Sequence, residues 1–263
     1  MQLLMCPPTF YGIEYEINPW MSRTRQSSPQ RAREQWDGLY RLLREQLVVD
    51  IHLVEAQPGL PDMVFTANAG LVWQNKFIVS NFRYEVRRPE AVHFVEWFRK
   101  RGFEIIRLPQ EYFFEGEGDL LKCGDSWFAG YHIRSDIIAH QKVAEIIEQE
   151  VLSLELTNEW FYHLDTCFCP LSDNHALFYP PAFDPYARNV LESHVPHLIP
   201  VFAEEVARFA CNAIVAGKSI VINEGCPKAR EQLGTLGFAV FETPLSEFLK
   251  AGGSAKCLAL IIE

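Results

Sequence analysis

The sequence predicts an α/β fold built from five strand-hairpin, helix and strand modules arranged as a ring. Three observations lead there. Hairpin turns centred on Asn75, Asp125, Asp173 and Gly217 recur at intervals of roughly 50, 48 and 44 residues. A helical stretch and then one short apolar strand follow each turn. The two chain ends, taken together, hold the pieces of a fifth module.

In chain order, MQLLMCPP reads as a strand, SPQRAREQWDGLYRLLREQ as a helix, and VVDIHLVE as a second strand. DMVFTANAGLVWQNKFIVSNF reads as two strands around Gln74-Asn75-Lys76. The helix PEAVHFVEWFRKRG, stopped at Gly102, and the strand FEIIRL complete that module. GDLLKCGDSWFAGYHI turns at Gly124-Asp125 and is followed by the helix DIIAHQKVAEIIEQEV and the strand LSLEL. HLDTCFCPLSDNHALFY turns at Asp173-Asn174, with PYARNVLESHV and HLIPVF after it. ARFACNAIVAGKSIVIN turns at Gly217, with CPKAREQLGTLG and FAVFET after it. The final SAKCLALIIE reads as a strand that would pair with the first one, sealing the ring and tying down the C-terminus. The same element order is also compatible with an open α/β sheet.

Composition narrows the function classes. The 263 residues are 48% hydrophobic, enough for a full core, and the formal charge is −10 with no run of Lys or Arg. That balance argues against a nucleic-acid groove or an anionic membrane surface, and leaves a small cationic substrate open. MQLLMC lacks the basic flank and length of a signal peptide. Seven cysteines at no framework spacing then read as reduced thiols, and a cytoplasmic location is expected.

If rotation relates the modules, equal offsets within them face one axis. The start of each hairpin carries Asp62 and Asn68, Glu115 and Asp119, His163 and Asp165, Asn212, and finally Cys257. Each alone has a structural reading: an acidic turn, a core histidine, a turn asparagine, a small buried hydrophobe. Their shared offset points to a site. On a strand His163 and Asp165 would share a face, with Cys167 and Cys169 continuing it. That raises a zinc site, but four same-face residues along one strand spread too far to enclose a tetrahedral ion, so no metal is expected. A cysteine, a histidine and several carboxylates fit nucleophilic attack on a cationic carbon: the thiolate attacks, carboxylates grip a guanidinium, and histidine moves protons.

FTANAG, EGEGD, HLDTCF and GGSAKC resemble the signature segments of the guanidino-group-modifying enzymes, which include arginine deiminases and dimethylarginine dimethylaminohydrolases. Their order and spacing match over essentially the whole chain, and MCPPTF with INPWM looks like the arginine dihydrolase branch. The resemblance implies a five-fold pseudo-symmetric α/β propeller (a pentein) of ββαβ-type modules, as one catalytic domain over residues 1–263. It implies Cys257 as nucleophile, His163 as general acid/base and Glu115 as its acidic partner. It also implies Asp165 and Asp62 as acids on the substrate, Arg87 and Arg134 as arginines that meet its α-carboxylate, and Asp119 and Phe65 as further substrate-binding residues. EGEGD carries one residue more than the usual EGGD of these enzymes.

One departure sets the expected reaction. Deiminases and dimethylaminohydrolases carry aspartate where this chain has Asn68, whereas asparagine in a TANA context resembles the dihydrolases. An aspartate would meet the carbonyl of a citrulline product acceptor to acceptor; an asparagine amide can donate to it, so the ureido group can be attacked again. The expectation is a cofactor-free arginine dihydrolase making ornithine, carbon dioxide and two ammonia from free arginine. The alternatives are a one-step hydrolase of the same fold releasing citrulline, and a non-catalytic binding propeller like the ribosome-binding translation factors. The expected partner is a small-molecule substrate, with neither nucleic acid nor membrane, and oligomeric state is left open.

Overall fold

The hairpins expected from the turn spacing are present in the computed structural model, which describes residues 1–262. In chain order the first elements are β1 (Gln2–Met5), α1 (Pro29–Arg41) and β2 (Asp50–Leu53). Next come β3 (Gly70–Trp73), β4 (Lys76–Val79), α2 (Glu90–Arg99) and β5 (Glu104–Arg107), then β6 (Leu120–Cys123), β7 (Ser126–Tyr131), α3 (Ile137–Ile147) and β8 (Val151–Glu155). They are followed by β9 (Phe168–Pro170), β10 (His175–Phe178), α4 (Pro185–His194) and β11 (His197–Pro200). The last are α5 (Ala203–Val206), β12 (Ile214–Ala216), β13 (Ser219–Asn223), α6 (Pro227–Thr235), β14 (Ala239–Thr243), α7 (Ser246–Leu249) and β15 (Leu260–Ile261).

The strands form five three-stranded sheets with one repeated pattern: β3-β4-β5, β6-β7-β8, β9-β10-β11, β12-β13-β14 and β15-β1-β2. In each, the first pair is antiparallel and the second parallel; in the first four a tight turn joins the hairpin and a crossover helix leads to the third strand. In the fifth sheet β15 takes the first place, antiparallel to β1 with Leu3 opposite Ile261 and Leu4 opposite Leu260. The two chain ends therefore share one sheet, as the sequence predicts.

Two expectations about local conformation are corrected. The residues that open three of the four hairpins are 3-10 turns rather than strand: Pro61–Val64 and Thr66–Ala69 before β3, Gly116–Gly118 before β6, and Leu164–Thr166 before β9. His163 and Asp165 are therefore not neighbours on one face of a strand. LDT alternates like a strand, but the Thr166 N–H and Oγ1 both bond to the His163 carbonyl (3.2 and 2.6 Å), closing a local turn. Likewise SAKCLALIIE is strand only at Leu260–Ile261; the Leu258 N–H bonds to Ser254 O and the Ala259 N–H to Lys256 O. Its last residue, Glu263, lies outside the described residues.

The described residues fall into two compact units, one from Met1–Thr66 with the chain from Val201 on, the other Ala67–Pro200. In the first, the Ser28 side chain caps α1, Pro29 opens it, and Ala32, Trp36 and Leu39 turn one face into a core with Leu3, Phe65 and Phe248. In the second, Leu71, Ile78, Leu120 and Trp127 pack with Ala139 and Val143 of α3. Among the described residues no helix is long and apolar enough to cross a membrane.

Candidate active site

In the unit Ala67–Pro200, the turns that precede the hairpins bring together most of the polar residues singled out from the sequence. Glu115 lies at the centre, fully buried. Its Oε2 accepts from His163 Nε2 at 2.7 Å and from Arg134 Nη1 at 3.1 Å, and its Oε1 accepts the Arg83 N–H at 3.1 Å. Burial alone would raise the Glu115 carboxyl, but Arg134, the His163 hydrogen bond and Arg87 outweigh it and hold it well below the usual carboxylate range. Glu115 is thus ionised and accepts a hydrogen bond from Nε2–H, which leaves Nδ1 of His163 as the lone-pair nitrogen. Burial pushes His163 down to about 4, with the charges of Arg134 and Arg87 adding to it against the pull of Glu115, so the imidazole is neutral at rest. Arg134 is itself buried between the rings of Tyr84 and Tyr162, at 4.7 and 4.5 Å from their centroids.

Asn68 meets the other side of the histidine, with Nδ2 at 3.5 Å from His163 Nδ1. Arg87 Nη1 donates to Asn68 Oδ1 at 3.0 Å, which sets the amide the right way round: oxygen to Arg87, N–H2 toward His163. Arg87 in turn is held by Glu90 through two bonds of 2.9 Å, a buried fork pair. The second glycine of EGEGD follows from this crowding. A Cβ on Gly118 would run into Asn68 Nδ2 and lie 3.6 Å from the His163 ring, so only glycine lets the two approach.

Asp119 is buried with both oxygens engaged, Oδ2 by Ser135 Oγ at 2.6 Å and Oδ1 by the Leu164 N–H at 3.1 Å. Ser135 Oγ also accepts the Glu115 N–H. Asp119 therefore braces the Glu115 and His163 turns against each other. Its carboxyl is pushed well up by burial, and the charges of Glu115 and Asp165 add to that against the hydrogen bonds. Asp165 is buried in the His163 turn itself. Cys167 Sγ bonds to the carbonyls of Leu164 and His163, at 3.5 and 3.8 Å. Among the described residues no three His, Cys, Asp or Glu side chains converge to hold a metal ion.

In the other unit, Cys257 lies in the turn Ala255–Leu258 before β15 and is 2% exposed. Asn212, placed by the repeat at the same offset but not counted with the site from sequence, donates from Nδ2 to Cys257 Sγ at 3.1 Å. Phe65 packs edge-on to Tyr11 and Phe248, with centroids 5.8 and 6.4 Å apart. Phe65 and Cys257 flank Gly253, where a Cβ would lie 2.5 Å from the Phe65 ring and 3.3 Å from Cys257 Cβ. Asp62 is buried in the turn Pro61–Val64.

A family model described as N,N dimethylarginine dimethylhydrolase, eukaryotic, matches residues 15–262. The N(G),N(G)-dimethylarginine dimethylaminohydrolase of Mycobacterium tuberculosis is 37% identical over 98% of this chain and 85% of its own. The chain belongs to the dimethylarginine dimethylaminohydrolase family. A higher identity joins this member of the family to the bifunctional arginine dihydrolase/ornithine cyclodeaminase ArgZ of Synechocystis, 46% over 99% of this chain, although the chain spans only 37% of ArgZ. The crystal structure of the N-terminal domain of ArgZ bound to product superposes with a TM-score of 0.96 at 45% identity, covering 100% of this chain and 97% of that domain. For the dimethylarginine dimethylaminohydrolase fold at large, the match to an adduct of that enzyme with S-methyl-L-thiocitrulline has a TM-score of 0.82 at 22% identity.

Proposed function

We propose that this chain is an arginine dihydrolase that converts L-arginine and two waters to ornithine, carbon dioxide and two ammonia. In this reading Cys257 attacks the guanidinium carbon while Asp165 and Asp62 hold the cationic group, with Phe65 beside it. Arg87 and Arg134 meet the α-carboxylate, and Asp119 braces the turns that carry Glu115 and His163. His163, neutral at rest, takes up the proton released as the thiol attacks and passes it to the departing ammonia. It then takes a proton from the water that resolves the thiouronium, leaving the ureido product. Glu115 keeps Nε2 protonated throughout, so Nδ1 carries the traffic. A second attack, on the ureido carbon, expels the ornithine amine and leaves an S-carbamoyl thiol. Its hydrolysis yields the carbon dioxide and the second ammonia.

The observation that carries this reading is the orientation of Asn68. With Oδ1 bonded to Arg87, the group turned toward His163 is the N–H2, a donor suited to a ureido oxygen. An aspartate there would offer only acceptors when ionised. The likeness to the N-terminal domain of ArgZ, described as an arginine dihydrolase, supports the same reading. We further propose the single catalytic domain and the five-fold ring for the five sheets, on the repeated pairing pattern. A second reading, one-step hydrolysis of a methylated arginine to citrulline, is favoured by the family model and the mycobacterial relative. Incubation with arginine separates them: ornithine as the accumulating product supports the dihydrolase, and citrulline removes it.

A further inference from the structure

Asn212 is fully buried, and its partners settle which end of its amide is which. Oδ1 accepts the N–H of Ser254 and the N–H of Cys257, both at 3.1 Å. Turning the amide over would set its N–H2 against those two donors, so the group 3.1 Å from Cys257 Sγ is Nδ2, a donor. The Asn212 backbone carbonyl takes the Lys256 N–H as well, at 3.3 Å. Three N–H groups of the segment that carries the cysteine thus end on one residue, and that residue aims its only side-chain donor group at the sulfur.

We propose that Asn212 is a positioning residue for the Cys257 thiolate: Nδ2–H holds the sulfur's charge and direction, while Oδ1 fixes the turn that presents it. The proposal rests on Cys257 being the nucleophile of the reaction proposed above. The physical need is clear from the surroundings. Cys257 packs into a core with Met5, Tyr11, Phe65 and Phe248, where an anion without a donor is costly. A hydrogen bond to an ionised sulfur is of the stronger, charge-assisted kind, and a neutral thiol gains less from the same donor. The amide therefore favours the form that attacks.

Ionisable neighbours of the cysteine in the same unit include Lys256, next to it in sequence, whose Nζ donates to Ala259 O, and Tyr11 of the same core, whose hydroxyl donates to Glu247 O. They stay unchanged in the variants that test the proposal, so their influence is common to all.

The test follows thiolate absorbance in the ultraviolet over a pH series, in the unaltered chain, Asn212→Ala and Asn212→Asp. Each is corrected with a counterpart that also carries Cys257→Ser, so that only Cys257 is read. Asn212→Ala should move the thiolate midpoint up by about one to two pH units. Asn212→Asp keeps both backbone acceptances but sets an anion beside the sulfur, and should move it further. In turnover of arginine at neutral pH, kcat should fall with the midpoint while KM changes much less. A residue that only shaped the turn would leave the Asn212→Ala thiolate at the midpoint of the unaltered chain, and that result, or an unmoved Asn212→Asp midpoint, overturns the proposal. Should Asn212→Ala fail to fold by circular dichroism, Asn212→Asp decides, because it retains the bonds that shape the turn. The titration needs no arginine. A shifted midpoint in a chain that never consumes arginine would count against the reaction, not against the role of Asn212.

Discussion

Replacing Glu115 with Gln removes one charge and one acceptor from the middle of a buried network. The carboxylate serves three donors: His163 Nε2 and Arg134 Nη1 on Oε2, and the Arg83 N–H on Oε1. Glutamine has a single oxygen. If that oxygen stays with His163 and Arg134, its N–H2 faces the Arg83 N–H; if it turns over, the N–H2 faces two donors instead. In both cases Arg134, 2% exposed, loses the carboxylate it pairs with. Removing one partner of a buried ion pair costs about 3–5 kcal/mol, and the retained oxygen puts this case near the lower end, about 3 kcal/mol. For a chain of this size each kcal/mol lowers Tm by about 2–4 °C, so calorimetry should show a fall of roughly 6–12 °C. Turnover should fall at least about 100-fold, because a neutral amide no longer fixes the proton on Nε2 or steadies the imidazolium. A Tm within about 2 °C of the parent, with turnover changed only a few-fold, would refute the view that Glu115 organises this network.

Two further outcomes follow from the same geometry. His163→Ala should lower turnover by about 10²–10⁴-fold, and mass spectrometry of the quenched reaction should find the Cys257 adduct accumulating; full turnover would mean that another group carries the proton. His140 concerns stability. Its Nδ1 lies 2.9 Å from Ser153 Oγ, and burial holds it at about 4 rather than its ordinary 6.5. Between those pH values the unfolded chain binds the proton and the folded one does not, so stability falls as pH drops from 6.5 to 4. That loss is about 3 kcal/mol for this one residue, and His140→Leu should flatten the fall of Tm with pH across the window; an unchanged slope would contradict it.

The repeat was legible in the sequence because hairpin turns leave local marks: Gln74-Asn75, Gly124-Asp125, Asp173-Asn174 and Gly217 each sit between apolar runs, and the strands flank them as expected. The pairing of β1 with β15 was legible for the same reason, as the missing pieces of a fifth repeat. The conformation of the residues that open the first three hairpins was not. Alternation of apolar and polar residues in HLDTC mimics a strand, and what closes the turn is the bonding of Thr166 to the His163 carbonyl. Cys257 likewise sits in a turn because Asn212, 45 residues away in sequence, takes the N–H groups that a strand ladder would use. Which atom of Asn68 faces His163 was also beyond the sequence, since Arg87 and Glu90 decide it through side-chain geometry. Composition and spacing register which residue types are present at an offset; they do not register which lone pair meets which proton.

The central claim is that Asn68 lets the reaction run past the ureido stage, and the most direct measurement is the ornithine-to-citrulline ratio at full arginine consumption. The unaltered chain and Asn68→Asp are run side by side. The account predicts ornithine, with two ammonia per arginine, from the unaltered chain, and citrulline with one ammonia from Asn68→Asp, whose carboxylate pairs with Arg87 and offers no donor to the ureido oxygen. Ornithine from both would show that Asn68 does not control the second step, and citrulline as the main product of the unaltered chain would contradict the dihydrolase reading itself.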